Sequence, residues 1–320
     1  DDGLLELEVK AIQGDEITTV VRNGGRLHSR KGINVPGRAL SAPAFSEKDR
    51  ADLEACIPLG IDWIALSFVR SAADVLEVKE ELGKRGENLP VIAKIEKPEA
   101  IDAHEAIADA ADGLMVARGD LGVEAGFEKV PLMQKRLISE AAARGKPVIV
   151  ATQMLESMIT AARPTRAEAS DVANAVLDGA DAVMLSGETS IGAYPIEAVE
   201  TMAHIVETTE EEGFERIPKL TTKPRTGGGA ITLAAADTGA LMGAQYLAAF
   251  TQSGDSARRL ARLRSPIPML AFTPLEETRR QLALVWGVRP FVVEVAPTTD
   301  EAVRVVDAGL NESGLAAEGD

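Results

Sequence analysis

The chain has 320 residues, a formal net charge of −16, 45% hydrophobic residues and a mean hydropathy near zero. These values are typical of a soluble globular protein long enough for two domains, and the acidic balance argues against nucleic acid or an anionic membrane as a partner. Cys56 is the only cysteine, which excludes an intrachain disulfide and a multi-cysteine metal site. The sequence contains neither an apolar run of about 20 residues nor a signal-peptide pattern, so we expect a cytoplasmic protein.

Residues 1–38 predict a small β domain. Polar and apolar residues alternate over Leu4–Val9 and Glu16–Val21 in the manner of hairpin strands, and Asn23-Gly24-Gly25 predicts a turn. We place the boundary of this domain at residue 38.

Residues 39–215 show a rhythm of five strands, most of them followed by a clear helical stretch. The predicted strands are 61–68, 90–96, 113–117, 147–152 and 182–186, and the predicted helices are 72–82, one opening at 98, 132–143, 166–177 and 195–212. Each strand is apolar on both faces, which is typical of a parallel sheet under a helical layer. Such a sheet belongs either to a doubly wound fold or to a (β/α)₈ TIM barrel.

Polar residues at the strand ends favour the barrel. They lie at or just beyond the C-terminal ends of five consecutive strands: Ser67, Lys94 to Glu96, Arg118 to Asp120, Thr152, and Ser186 to Glu188. Barrel enzymes assemble their sites at this end, whereas a doubly wound sheet gathers its ligand groups at one switch point. We therefore predict an α/β fold with part of a TIM barrel.

Residues 216–320 predict a second α/β domain. The Gly-, Thr- and Pro-rich segment 221–229 reads as a linker, and short strands are predicted at 246–251, 268–273 and 291–295.

Two charged residues on one strand predict a chemical site. Lys94 and Glu96 are two residues apart and project from the same face, which would bury a cation beside an anion. A structural ion pair is one interpretation, since buried charges are costly unless paired. The other adds Asp120 from the neighbouring strand end, making a two-carboxylate Mg²⁺ site in which Lys94 neutralises a phosphoryl group.

The tripeptide Arg118-Gly119-Asp120 allows three interpretations. It could belong to the metal–phosphate site, with Gly119 letting backbone N–H groups approach an anion. It could be an exposed adhesion motif, or a polar turn without further meaning. The phosphate-loop, dinucleotide and zinc-protease motifs are absent, and the three histidines (28, 104 and 204) are predicted to be surface or structural residues.

Long runs then point to one family. IAKIEKPEA, DGLMVARGDLGVE, GKPVIVATQMLESM, PTRAEASDVANAVLDGADAVMLSGET and NGGRLHSRKGINVPG resemble pyruvate kinase, and the similarity covers nearly the whole chain. The family is a (β/α)₈ barrel with an inserted β lid domain and a C-terminal α/β domain. By this resemblance, residues 1–38 are part of the lid, 39–215 are barrel units four to eight, and 216–320 are most of the C-terminal domain.

The resemblance implies phosphoryl transfer from phosphoenolpyruvate to ADP, giving pyruvate and ATP in glycolysis. Glu96 and Asp120 match the carboxylates that hold Mg²⁺ or Mn²⁺, and Lys94 matches the lysine that stabilises the transferring phosphoryl group. Gly119 matches a backbone donor to the substrate carboxylate, and Thr152 matches a hydroxyl beside the substrate.

Further expectations concern the rest of the chain. Lys31 matches the nucleotide-contacting lysine of the lid domain. The segment Thr251–Ser256 resembles a loop that binds sugar-phosphate or nucleotide effectors, although the charge of Asp255 argues against a bisphosphate. The family also implies K⁺, with ligands outside this chain, and a homotetramer.

The sequence departs from the family in lacking the first three barrel units and the last C-terminal strands. We therefore expect the chain to be part of a longer protein, and residues 1–320 alone to be inactive. An alternative enzyme class is a metal-dependent barrel lyase or aldolase acting on a pyruvate enolate, which would use Lys94, Glu96 and Asp120 but not Lys31.

Overall fold

The computed structural model describes residues 3–29, 32–37, 43–220, 223–224 and 226–315. Within these ranges ten strands form three sheets. The strands are β1 Glu6–Gln13, β2 Glu16–Asn23, β3 Ile64–Leu66, β4 Val91–Ile95, β5 Gly113–Ala117, β6 Val148–Ala151, β7 Ala182–Met184, β8 Leu247–Phe250, β9 Met269–Thr273 and β10 Val288–Val292. The helices are α1 Glu47–Cys56, α2 Ala72–Lys84, α3 Pro98–Asp102, α4 His104–Ala110, α5 Arg118–Ala125, α6 Val130–Arg144, α7 Arg166–Asp178, α8 Gly187–Ser190, α9 Pro195–Gly213, α10 Gly227–Met242, α11 Asp255–Ala261, α12 Glu276–Leu282 and α13 Thr299–Glu312.

The N-terminal region is an antiparallel hairpin of β1 and β2. The chain reverses at Gly14 and Asp15, where Gly14 takes a φ of 62° that a side chain would disfavour. The turn predicted at Asn23-Gly24-Gly25 would follow the second strand; β2 ends at Asn23, and residues 24–28 form no regular turn. Nearly all residues of the hairpin are exposed.

The central sheet contains five parallel strands in the order β3-β4-β5-β6-β7. Strand order equals chain order, with helices between successive strands, as a segment of a (β/α)₈ barrel requires and a doubly wound sheet does not. The predicted fold class is confirmed. β5 has the predicted bounds, and α2, α6, α7 and α9 differ from prediction by at most two residues at each end.

Alternate residues of the central strands pack on two sides of this sheet. On one face, strand residues pack against the helices in the larger hydrophobic cluster: Ala93, Ile95, Leu114, Val116, Val148 and Val150. On the opposite face, a smaller cluster contains Ile92, Met115, Ile149 and Ala151. Because side chains alternate along a strand, Lys94 shares the face of Ile92, and it is the one residue of β4 that is not fully buried.

The C-terminal sheet is parallel, with the order β10-β9-β8. Its edge strand β10 lies three residues earlier than predicted, at 288–292 instead of 291–295. Pro290 is tolerated there because an edge strand need not donate every N–H group to a neighbour.

Polar contacts join the C-terminal domain to the barrel region. Nη2 of the buried Arg264 donates to the Gly179 carbonyl at 2.6 Å and lies 3.2 Å from Oδ1 of Asp181. Burial raises the pKa of the Asp181 carboxyl, against the opposing attraction of Arg264.

The domain boundaries at 38/39 and 215/216 stay predictions. In the part of the chain that the structure describes, no helix has the length and apolar character needed to cross a membrane.

Candidate active site

A buried ion pair lies at the C-terminal end of β4. Nζ of Lys94 is 2.7 Å from Oε1 of Glu96 and donates to Oγ of Ser67 at 2.8 Å. The Glu96 carboxylate is only 1% exposed, whereas the Lys94 side chain is 24% exposed. The predicted juxtaposition of this cation and anion is present, with the lysine on the more open side.

The residue after Ser67 holds the other Glu96 oxygen. The backbone N–H of Phe68 donates to Oε2 of Glu96 at 2.6 Å, and Phe68 itself adopts a φ of 55°. A positive φ is strained for a bulky residue and is maintained only where surrounding contacts require it. The contact to Glu96 fixes the end of β3 against the end of β4.

Helix α5 begins directly at the Arg-Gly-Asp tripeptide. The sequence predicted no helix between β5 and residue 132, and the polar-turn interpretation is corrected, since Arg118–Ala125 is helical. Ala117 at the N-cap offers no side-chain hydrogen bond to the first turn. Gly119 is buried and Asp120 lies in the first turn, where the N–H groups have no partner within the helix. An uncapped helix start of this kind favours anions.

The Arg118 side chain points inward and joins two strand ends. Its guanidinium donates to the Thr152 carbonyl at 2.8 Å and to the Ala151 carbonyl at 3.3 Å. It also pairs with Asp171 of α7 at 2.7 Å. With only 11% of this side chain exposed, the adhesion interpretation of the tripeptide is wrong.

Thr152 follows β6 in a strained backbone conformation. Thr152 and Gln153 have φ angles of 75° and 56°, which place both in the left-handed region. The contact that fixes Thr152 is the one from Arg118 to its carbonyl. Its hydroxyl has no hydrogen-bond partner among the described residues, and Thr152 is half-buried. Strain of about 1–3 kcal/mol per residue is typical of functional sites.

The segment 32–37 reaches the same place from the N-terminal region. Nδ2 of Asn34 lies 3.3 Å from Oδ1 of Asp120 and 3.1 Å from Oε1 of Glu124. The buried Glu124 also pairs with Lys97 at 2.5 Å. Lys31, the predicted nucleotide contact, lies outside the described residues.

Glu188, a further buried carboxylate, lies after β7 at the edge of the sheet. Glu188 accepts hydrogen bonds from the Ser186 N–H at 2.8 Å and from the Leu155 N–H at 3.1 Å. It thereby holds the loop after β6 against the loop after β7. Polar groups therefore lie at or just beyond the C-terminal ends of all five strands of the central sheet.

Comparison with known proteins decides the family. The family model described as "Pyruvate kinase, barrel domain" matches residues 1–199, and "Pyruvate kinase, alpha/beta domain" matches residues 229–320. The chain belongs to the pyruvate kinase family. A pyruvate kinase of Mycobacterium tuberculosis is 56% identical over 320 residues, covering 100% of this chain and 68% of the relative. Those of Corynebacterium glutamicum and Geobacillus stearothermophilus are 53% and 49% identical, with 65% and 56% of their lengths covered.

Sequence reasoning missed the polar residues that support the predicted pyruvate kinase site. Asn34, Lys97, Glu124 and Asp171 were not singled out, although Asn34 contacts Asp120, Lys97 pairs with Glu124, and Asp171 pairs with Arg118. All four lie inside the runs that resemble the family, and that position was the only available signal. Asn34 and Asp171 are also far along the chain from their partners, so local spacing does not link them to the site.

Proposed function

We propose that the protein to which this chain belongs carries out the pyruvate kinase reaction, the transfer of the phosphoryl group of phosphoenolpyruvate to ADP to give pyruvate and ATP. Family membership supports this reaction. The observation that carries the assignment of the site is the Lys94–Glu96 pair at the end of β4, beside the uncapped start of α5. Positioning and electrostatic stabilisation account for most of the catalysis of phosphoryl transfer, and charged groups fixed in a partly buried site supply both.

Glu96 and Asp120 are the residues that would hold a divalent cation. Two carboxylates from neighbouring strand ends are hard oxygen donors, so the donor set fits Mg²⁺ or Mn²⁺. In the part of the chain that the structure describes, the only hydrogen-bond partner of the Asp120 carboxylate is the Asn34 side chain, at 3.3 Å. A bound ion at this position would neutralise phosphoryl charge and fix the orientation of the substrate.

Lys94 would contact the phosphoryl group during its transfer. An ammonium has three N–H donors, and Glu96 and Ser67 account for two of them. The third donor and the 24% exposed side chain remain for phosphoryl oxygens. The lysine is held in place by its partners, so it need not reorganise when charge develops in the transition state.

Gly119 and Thr152 would contact the carboxylate and enolate parts of phosphoenolpyruvate. The N–H groups at the start of α5, Gly119 among them, suit the carboxylate of phosphoenolpyruvate because the helix start favours negative charge. The Thr152 hydroxyl, free of partners among the described residues, lies at the end of β6, where an enolate would be protonated. Lys31 is assigned the nucleotide, by resemblance only.

Cofactors and partners beyond these residues follow from the family alone. We include K⁺ and a homotetramer. The exposed Ile231, Leu241 and Met242 of α10 are consistent with a subunit contact. In the effector loop, the Asp255 carboxylate pairs with Arg259 at 2.6 Å. Because this arginine is already paired and Asp255 adds a negative charge, we propose a sugar phosphate or nucleotide as the effector in preference to a bisphosphate.

The test is a coupled assay of pyruvate formation from phosphoenolpyruvate with Mg²⁺ and K⁺, in the presence and absence of ADP. We expect pyruvate formation to require ADP and to yield one ATP per pyruvate. Enolate chemistry on pyruvate that proceeds without ADP, with no ATP formed when ADP is present, would instead identify a barrel lyase or aldolase.

A further inference from the structure

We propose a second divalent-cation site, separate from the phosphoryl-transfer site, on the outer helical layer. Its ligands are His104 and Glu105 at the start of α4 and Glu140 of α6. One ligand atom from each residue lies within 4.8 Å of the others. An acidic surface cluster alone would not indicate a site, and the orientation of the buried histidine supplies the second observation.

His104 has one ring nitrogen committed and the other available. The side chain is 3% exposed, and Nδ1 lies 2.8 Å from the Ile101 carbonyl oxygen. A carbonyl only accepts, so Nδ1 carries the proton and Nε2 of the neutral ring presents its lone pair. Nε2 is buried and has no hydrogen-bond partner among the described residues. Metal-ligating histidines commonly show this arrangement, with the second nitrogen held by a backbone carbonyl.

The spacing of the ligand atoms fits an ion between them. Nε2 of His104 lies 3.7 Å from Oε1 of Glu140, which is too long for a hydrogen bond. Two ligand atoms bound at about 2.1 Å in tetrahedral geometry are separated by about 3.4 Å. A shift of a few tenths of an ångström would therefore bring both atoms into coordination, and the Glu105 carboxylate completes a three-residue ligand set.

Arg144 orients the Glu140 carboxylate and leaves one of its oxygens unpaired for a cation. Its Nη1 donates to Oε2 of Glu140 at 2.5 Å, and its Nε lies 2.6 Å from Oδ1 of Asp109. This leaves Oε1 of Glu140 directed toward the histidine. The carboxylates of Glu105, Asp109 and Glu140 outnumber this guanidinium by two negative charges, which one divalent cation neutralises.

Both position and chemistry separate this site from the proposed Mg²⁺ site. Glu140 lies near the end of α6, shortly before the chain enters β6, and thus toward the N-terminal ends of the strands. The mixed nitrogen and oxygen set favours Zn²⁺ and related first-row cations over Mg²⁺, which prefers oxygen ligands alone. A bound ion would cross-link α4 to α6 and stabilise the folded chain.

The experiment titrates the protein with Zn²⁺ by calorimetry in saturating Mg²⁺, so that the oxygen-only site is occupied. Co²⁺ visible absorption and the Zn²⁺-induced rise in Tm serve as additional readouts. We expect one Zn²⁺ per chain and a rise in Tm that a chelator reverses. Glu105→Gln should weaken Zn²⁺ binding at least about tenfold, because an anionic ligand becomes a neutral amide.

His104→Asn is the decisive variant, since the amide can still donate to the Ile101 carbonyl but has no counterpart of Nε2. It should lose the Zn²⁺ isotherm and the Co²⁺ spectrum. Asp102→Asn, an exposed carboxylate of α3 outside the cluster, is the matched control and should bind as the unmodified chain does. If His104→Asn does not fold, the exposed Glu105 variant decides. Failure of the unmodified chain to bind Zn²⁺, or unchanged affinity in Glu105→Gln, would overturn the proposal.

Discussion

The ammonium of Lys94 lies 2.7 Å from the carboxylate of Glu96, and the two groups differ sharply in their contact with solvent. Glu96 is buried and fixed by the Phe68 N–H on its second oxygen, whereas Lys94 is open on one side. The asymmetry leaves the ammonium accessible from one side while the carboxylate stays fixed. The arrangement holds a cation at the rim of the site by means of an anion beneath it, and the first prediction tests that role.

Lys94→Met keeps most of the aliphatic stem and removes the charge. We expect phosphoryl transfer to fall by about a thousandfold or more, because the positive charge that meets the phosphoryl oxygens is lost. Metal-dependent enolisation of pyruvate, which needs no phosphoryl transfer, should survive in part. Steady-state ATP formation and proton exchange at the pyruvate methyl group, followed by NMR, measure the two reactions.

Lys219→Met is the control for Lys94→Met. Lys219 is exposed and pairs with Glu215 at 3.1 Å, far from the strand ends in sequence, so its loss should leave both reactions unchanged. An equal loss of both reactions in Lys94→Met would show that the lysine acts by orienting Glu96 instead of by contacting the phosphoryl group.

The central sheet was predictable because each strand carries its own signal. Gly113–Ala117 is a short apolar run between polar segments, and its observed bounds match the prediction. Helix α5 was not predictable, because Gly119 and Gly122 lower its intrinsic helix propensity. Tertiary packing forms it instead, since Leu121 is fully buried within the core.

The predicted site residues follow from strand ends, but their partners do not. Arg118 and Asp171 are 53 residues apart, and Asn34 and Asp120 are 86 apart. Local spacing contains no information on such contacts, because they depend on how the units pack. The sequence therefore predicts which groups occupy the site, and the structure adds what holds each group in place.

Asp120→Asn should weaken divalent-cation binding, because one anionic oxygen ligand becomes a neutral carbonyl at unchanged volume. We expect the Mg²⁺ concentration for half-maximal activity to rise at least about tenfold, with a maximal rate that extra Mg²⁺ restores only in part. Mn²⁺ binding followed by electron paramagnetic resonance measures the affinity directly. Glu128→Gln, an exposed change shortly after α5, is the control. Unchanged Mn²⁺ affinity in Asp120→Asn would remove this residue from the cation site.

Glu168 predicts a pH dependence of stability. Burial opposes its ionisation, but hydrogen bonds from Ser157 and Thr165 outweigh burial and hold the pKa of the Glu168 carboxyl below its ordinary value of 4.5. The folded chain therefore binds this proton less tightly than the unfolded chain. The stabilisation is complete above pH 4.5 and is lost as the pH falls through the lowered pKa.

We expect Glu168→Gln to lower the free energy of unfolding at pH 7 and to flatten its decline on acidification. Urea denaturation at a series of pH values measures both effects. The exposed Glu200→Gln provides the matched control. An acid limb in Glu168→Gln as steep as in the unmodified chain would show that other carboxylates determine this dependence.

Arg118→Lys tests whether the guanidinium positions the strained Thr152 segment. Lysine keeps the charge and can still pair with Asp171, but it lacks the planar fork that also reaches the Thr152 and Ala151 carbonyls. We expect kcat to fall at least about tenfold while half-saturating Mg²⁺ changes less than about twofold, because the carboxylate ligands remain in place. The free energy of unfolding should fall by about 2 kcal/mol, the typical loss of a hydrogen bond to a charged group. Kinetics at varied Mg²⁺ and urea denaturation measure these quantities, with the exposed Arg136→Lys of α6 as control. An unchanged kcat in a destabilised Arg118→Lys protein would limit this arginine to a structural role.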